Sequence, residues 1–398
     1  MNQTPRANRP HIALYGNRNA GKSSLLNAII GQEISLVSNI KGTTTDPVSK
    51  AMELIPFGPV VFIDTAGLDD DGELGNIRVN RSIKILQRTD FALYVIDVND
   101  FNETSYKEAV LLFKRFHIPY LTVFNKMDSL NSIQLNSFKE RYKNAYFVSA
   151  KDGDNILELK NAIIKGIESE ENEPPIVGDL LPYNSTVVLV VPVDSEAPKG
   201  RIILPQVQVI RDCLDHGIKS YVVRDTELKD ALNDLKSVDL VITDSQAFKK
   251  VDEIVPDNIP LTSFSILYAR YKGDLFKLVE GVNAIESLKE GSRILISESC
   301  THNHSHEDIG RVKIPKGLVK HFKHDFNFTF RMGHDFPDDV SEYDLIIHCG
   351  SCMINPKTMR TRIKLCEEQR VPITNYGVVL AYLTGILDRS LEIFHFLN

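Results

Sequence analysis

The chain has 398 residues, 42% of them hydrophobic and 25% charged, enough apolar material for two or three cores. Its formal net charge of −7 and pI of about 5.9 argue against nucleic acid as a partner, because no global positive field is available to gather phosphates. No apolar run approaches the roughly 18 residues of a membrane span, the start lacks a signal peptide, and five cysteines in so long a chain point to metal or redox use in the cytoplasm.

In chain order, the apolar strand at 11–15 runs into G-N-R-N-A-G-K-S at 16–23 and then into a helical run from Ser24 to position 30. Such a strand, Gly-rich turn and helix start cradle phosphate: Gly16 and Gly21 let the backbone N–H groups converge on an anion, and the helix adds its positive end. Lys22 would reach the β and γ phosphates, and the Ser23 hydroxyl would hold Mg²⁺. A second apolar strand, 60–63, ends in Asp64-Thr-Ala-Gly67, where Asp64 can join the Mg²⁺ shell through water and the Gly67 N–H can sense the γ phosphate. The strand at 120–124 runs into Asn125-Lys126-Met-Asp128. The Asp128 carboxylate is placed to accept from N1–H and N2–H₂ of guanine, bonds that adenine cannot supply, so the base is guanine. Finally, 146–148 ends in Ser149-Ala150-Lys151, whose backbone would meet the guanine O6. Four motifs, each at the carboxyl end of an expected strand, define the crevice of a doubly wound sheet, and residues 1–170 read as a P-loop domain for GTP and GDP.

This segment resembles the translation-factor-like small GTPases of the Era and MnmE type. Asn19 stands where that group has an asparagine that helps hold an activating K⁺, and G-T-T-T-D at 42–46 resembles its first switch, with Thr44 aligned to the Mg²⁺-binding threonine. Leu68 follows Gly67 where Ras-like proteins carry the glutamine that orients water, so the resemblance implies slow hydrolysis assisted by K⁺ or a conformational partner. The acidic run Asp69 to Asp71 is expected to be a second switch or a plain solvated loop.

An acidic, proline-bearing linker occupies 168–175. Beyond it come an expected strand at 185–192, a helix at 205–216, a strand at 220–224, a helix at 226–235 and strands at 239–242 and 260–266. This α/β unit, 180–268, shows no chemistry of its own, and Cys213 reads as a buried inert thiol. A compact segment without a site suits assembly, and the dimer contact is expected here.

The last α/β domain, 270–398, opens on a helix at 274–290, breaks at Gly291 and Ser292, and restarts β/α alternation. All three domains are thus expected to be α/β with mainly parallel sheets. A strand at 292–297 is followed by Cys300-Thr-His302, and a strand at 344–347 by His348-Cys349-Gly-Ser-Cys352. If these strands are neighbours, three thiols and two imidazoles converge on one crevice. Ligand chemistry admits a Cys₃ [4Fe-4S] cluster, a Cys₃His zinc, or a Cys349/Cys352 redox dithiol. Cys366 reads as a core thiol; Arg311, Lys313 and Lys316 read as an anion site or a solvated face; His304, His306 and Glu307 read as an exposed loop, with direct ligation of the metal as the alternative.

The C-x-H…H-C-x-x-C pattern, with E-D-I-G-R-V-K-I-P at 307–315 between its halves, resembles the HydF family of [FeFe]-hydrogenase maturation GTPases, and the order of domains agrees over essentially the whole chain. The resemblance implies a homodimeric scaffold that binds a [4Fe-4S] cluster through Cys300, Cys349 and Cys352 and leaves an exchangeable fourth position. His302 and His348 are candidates for that position or for a hydrogen bond beside it. It also implies that a di-iron precursor, completed in concert with two radical-SAM maturases, is delivered to the apo-hydrogenase. The alternative is an RNA-binding GTPase of ribosome assembly with a zinc-stabilised tail, which the acidic pI disfavours.

Overall fold

A computed structural model describes residues 6–31, 48–65, 83–169, 174–193, 202–299 and 308–394. The chain divides into two compact units, Met1–Asn172 and Glu173–Asn398. No helix among the described residues is long and apolar enough to cross a membrane.

The first unit is built on six strands: β1 (His11–Tyr15), β2 (Val48–Leu54), β3 (Gly58–Asp64), β4 (Phe91–Asp97), β5 (Tyr120–Asn125) and β6 (Ala145–Phe147). They lie in the order β2-β3-β1-β4-β5-β6, all neighbours parallel except β2 with β3. Side chains alternate across a strand, so β1 sends Ile12 and Leu14 into one core with Leu25, Leu159 and Ile163, and Ala13 and Tyr15 into the other with Phe113 and Phe124. Burial on both faces is what the near-continuous apolar strands require. The chain winds away from β1 in both directions, so the loops after β1, β3, β4 and β5 gather at one edge.

The second unit carries two four-stranded parallel sheets. One has the order β10-β9-β7-β8, from β7 (Thr186–Val190), β8 (Lys219–Val223), β9 (Leu240–Thr243) and β10 (Leu261–Ser263); the other has the order β12-β11-β13-β14, from β11 (Arg293–Glu298), β12 (Asn327–Met332), β13 (Leu345–His348) and β14 (Ile373–Asn375). Both sheets follow one plan, with the first strand between the second and third and the fourth at the edge. Their sequences echo the plan: I-P-L-T-S-F at 259–264 matches V-P-I-T-N-Y at 371–376. Details repeat as well. Asp239 accepts from the Thr186 N–H at 2.7 Å and Asp344 from the Arg293 N–H at 2.8 Å, each locking the third strand to the first. The helix after each fourth strand starts on a polar cap, Ser263 accepting from Ile266 N–H and Asn375 from Val378 N–H. One continuous hydrophobic core, including Val188, Ile242, Leu267, Leu295, Ile346 and Val379, lies under both sheets.

Two expected elements differ in the structure. The strand expected at 260–266 is the three-residue β10 followed at once by the helix Phe264–Lys272, because Ser263 caps that helix. The helix expected at 274–290 is Leu275–Val282 followed by a 3₁₀ turn, Asn283–Ser287.

Candidate functional site

The loop after β1 is shaped by two glycines. Gly16 has φ 131°, and a Cβ there would lie 1.9 Å from the Val95 carbonyl oxygen; Gly21 has φ 86°, and its Cβ would lie 2.4 Å from Asn125 Nδ2. Only glycine fits either position. The helix Lys22–Ile30 begins without a side-chain cap, so its first N–H groups stay available to an anion. Lys22 is 6% exposed, and its ammonium turns over the loop to donate to the Gly16 carbonyl at 2.5 Å and the Asn17 carbonyl at 2.8 Å. Ser24 lies exposed in the first turn.

At the end of β3, Ser23 Oγ donates to Asp64 Oδ2 at 2.6 Å, while Asp64 Oδ1 is buried and has no hydrogen-bond partner. A hydroxyl and a carboxylate with an unused oxygen form a hard-oxygen set that fits Mg²⁺. Thr65 donates to the Leu14 carbonyl and pins β3 to β1. Thr44 and Gly67 fall outside the described residues, as does Leu68.

The base-reading motifs are tied to the phosphate loop. Asn125 donates to the Ala20 carbonyl at 3.0 Å and accepts from the Ala150 N–H at 3.1 Å, so one amide joins three motifs. Lys126 donates to the Asn19 carbonyl at 2.8 Å and to Asp97 Oδ2 at 2.6 Å. Ser149 Oγ donates to Asp128 Oδ1 at 2.8 Å, orienting the carboxylate expected to meet guanine. Lys151 is exposed beside it. Asn19 is exposed with φ 65°. Asp97 is a member of the site that the motif reading missed. Burial pushes its carboxyl up, but hydrogen bonds from Lys126 and Asn99 more than offset this and hold it below its ordinary value. An acidic residue closing the apolar strand at the ligand edge was the available signal.

In the second unit, β11 and β13 are adjacent, with Ser297 opposite His348. Cys349 follows β13, and its Sγ receives the Ser299 N–H at 3.0 Å and lies 3.0 Å from Ser299 Oγ. Cys349 and Cys352 are half-buried and joined by a turn in which Ser351 has φ 58°. Burial, then the nearby Cys352, push the Cys349 thiol up, so a bound cation is what would favour its thiolate. Cys300 is the residue immediately after Ser299 in sequence; it and His302, His304, His306 and Glu307 fall outside the described residues. Among the described residues, no three His, Cys, Asp or Glu side chains form a metal-binding group. Two thiols in a C-x-x-C turn fit soft iron or zinc chemistry and fit poorly with hard cations.

His348 is fully buried, and both ring nitrogens are engaged. Nε2 accepts from Arg362 Nη1 at 2.7 Å, while Nδ1 lies 2.9 Å from the Cys349 carbonyl and 3.2 Å from Ser351 Oγ. Burial, then the Arg362 charge, lower its pKa to about 3, so the imidazole is neutral. This arrangement favours a hydrogen-bonding role over ligation. Arg311 is committed to the buried Glu298 at 3.1 Å and lies over Phe330, and Lys313 donates to Gln246 at 2.8 Å. Cys213 and Cys366 are core thiols, each raised by burial to about 12.

A crevice at the carboxyl edge of a doubly wound sheet, lined by a glycine-shaped anion loop and a carboxylate for the base, defines the class of P-loop GTPases, and the family model of the 50S ribosome-binding GTPase matches residues 11–126. The rest of the chain matches two further models, the hydrogen maturase F dimerization domain over 176–273 and the hydrogen maturase F tetramerization domain over 276–393. The chain belongs to the hydrogen maturase F family. Among curated proteins, GTPase Der of Wolinella succinogenes is 37% identical over 180 residues, 41% of this chain and 37% of Der. The tRNA modification GTPase MnmE of Mesoplasma florum is 32% identical over 170 residues, 42% of this chain and 36% of that protein. The chain thus spans little more than a third of the length of these relatives. A crystal structure of Aquifex aeolicus Era bound to GDP·AlF₄⁻ shares 20% identity at a TM-score of 0.33, covering 54% of this chain and 93% of that one.

Proposed function

We propose that this chain couples slow GTP hydrolysis to a scaffold for [FeFe]-hydrogenase maturation, with a [4Fe-4S] cluster held by Cys300, Cys349 and Cys352. The observation that carries this reading is the Cys349–Cys352 turn at the end of β13, whose first sulfur receives a hydrogen bond from Ser299, the residue preceding Cys300. Hydrogen bonds to a ligating sulfur soften its charge, and a metal whose coordination is not completed by protein thiolates keeps a position that cargo can take. The cargo is a di-iron precursor, supplied in concert with radical-SAM maturases and passed to the apo-hydrogenase. His348 acts by orienting the turn, and His302 is left as the imidazole candidate for the fourth position.

On the nucleotide side, Lys22 holds the phosphates, Ser23, Thr44 and Asp64 serve Mg²⁺, the Gly67 N–H senses the γ phosphate, and Asn125, Lys126, Asp128 and the 149–151 segment hold guanine. Asn19 helps bind K⁺, which makes turnover faster in K⁺ than in Na⁺. The chain forms a homodimer through the 180–268 region, in line with the dimerization-domain match, and works in the cytoplasm. The test is anaerobic reconstitution followed by electron paramagnetic resonance. The reading expects an S = 1/2 signal on reduction that is lost in Cys349→Ala; a colourless protein with one zinc per chain contradicts it and favours the zinc-tailed alternative.

A further inference from the structure

Resting on that reading, we infer that Lys272 is a positioning residue of the metal centre: it clamps the Cys349–Cys352 turn from beneath and sets a buried positive charge beside the thiolates. Lys272 ends the helix Phe264–Lys272 and is 0% exposed. Its ammonium donates to the carbonyls of Ser351 at 3.2 Å, Cys352 at 3.4 Å and Ile354 at 2.9 Å, and lies 5.5 Å from the centre of the Tyr268 ring. Three bonds to one short stretch fix the carbonyl directions of a turn whose Ser351 has already taken a left-handed conformation.

The same helix also approaches the turn at a second point. Ser265 lies against Gly350, where a Cβ would stand 3.7 Å from the Ser265 Cβ, and its carbonyl accepts from Asn375 Nδ2 at 3.0 Å. Lys272 belongs to the segment matching the dimerization domain, while the turn belongs to the segment matching the tetramerization domain. The internal repeat does not carry this lysine. At the corresponding place after β14 stands Thr384, which is exposed.

Burying an ammonium is costly unless charge or dipoles compensate it, and here carbonyl dipoles of the ligand-bearing turn take part. A tris-thiolate [4Fe-4S] centre carries one net negative charge when oxidised and two after accepting one electron. A fixed cation 3.4 Å from the Cys352 carbonyl therefore stabilises the reduced form more than the oxidised form, which raises the midpoint potential.

The experiment is a dithionite titration of the reconstituted full-length protein, followed by electron paramagnetic resonance, with iron counted in each variant. Lys272→Gln keeps a donor for the carbonyls and removes the charge; Lys272→Arg keeps the charge. The midpoint potential is expected to fall in Lys272→Gln and to stay near wild type in Lys272→Arg, with iron content similar in both. Equal potentials in the Gln and Arg variants overturn the inference. If the wild-type protein itself gives no iron-sulfur signal, the functional reading fails with it; a wild-type signal with an unmoved Gln variant removes only the role of Lys272.

Discussion

Gly16 and Asp97 mark the two ways a residue enters the nucleotide site. Gly16 was legible because a G-x-x-x-x-G-K-S string between strand and helix names its own geometry, and the structure supplies the reason in the Val95 carbonyl that occupies the space of a Cβ. Gly16→Ala is expected to abolish GDP binding and to destabilise the first unit by roughly 2 kcal/mol, through overpacking and strain at a left-handed position. Fluorescent-GDP titration and thermal melting check both. Asp97 left only a weak trace in the sequence, since its role depends on a partner, Lys126, just past the end of the neighbouring strand β5. Asp97→Asn is expected to weaken GDP binding by about tenfold, the worth of a charge-assisted hydrogen bond that holds the base-side motif to the phosphate loop; unchanged affinity would dissociate Asp97 from the site. His348 shows the converse. Its place beside Cys349 was plain, but Arg362, which takes up its Nε2, lies on the helix Pro356–Glu368, and nothing in the spacing announced that pairing.

Among the elements, strands buried on both faces were the most legible, because β1, β7 and β13 are largely apolar runs. Boundaries set by capping were less so. The apolar run at 260–266 reads as one strand, but the Ser263 hydroxyl accepts the Ile266 N–H and turns the second half into a helix. Loss of that cap in Ser263→Ala should cost about 1 kcal/mol and lower the melting temperature of the second unit by about 3 °C. No shift on calorimetry would mean that the cap does not set the stability there. The repeated sheet plan was also visible in principle, in the paired I-P-L-T-S-F and V-P-I-T-N-Y strings. The loops that carry chemistry differ between the two copies and mask it.

At the scale of the whole molecule, nucleotide chemistry and thiol chemistry lie in different compact units, and each unit has its own core. Lys22→Ala is therefore expected to remove most GTP hydrolysis, on the order of a hundredfold or more, while the metal content of the second unit stays at the wild-type level. A variant that also loses its metal would show that assembly of the centre depends on the nucleotide state. The family and the GTP site were legible because each rests on short motifs. The surroundings of the C-x-x-C turn were not, because Lys272, Ser299 and Arg362 reach it from three other segments. The most direct measurement is metal analysis with Mössbauer spectroscopy on the full-length protein purified under argon. The account predicts about four irons per chain in a [4Fe-4S] environment that collapses when any one of Cys300, Cys349 or Cys352 is replaced by alanine. One zinc per chain and no iron, or a cluster indifferent to Cys300→Ala, would contradict it.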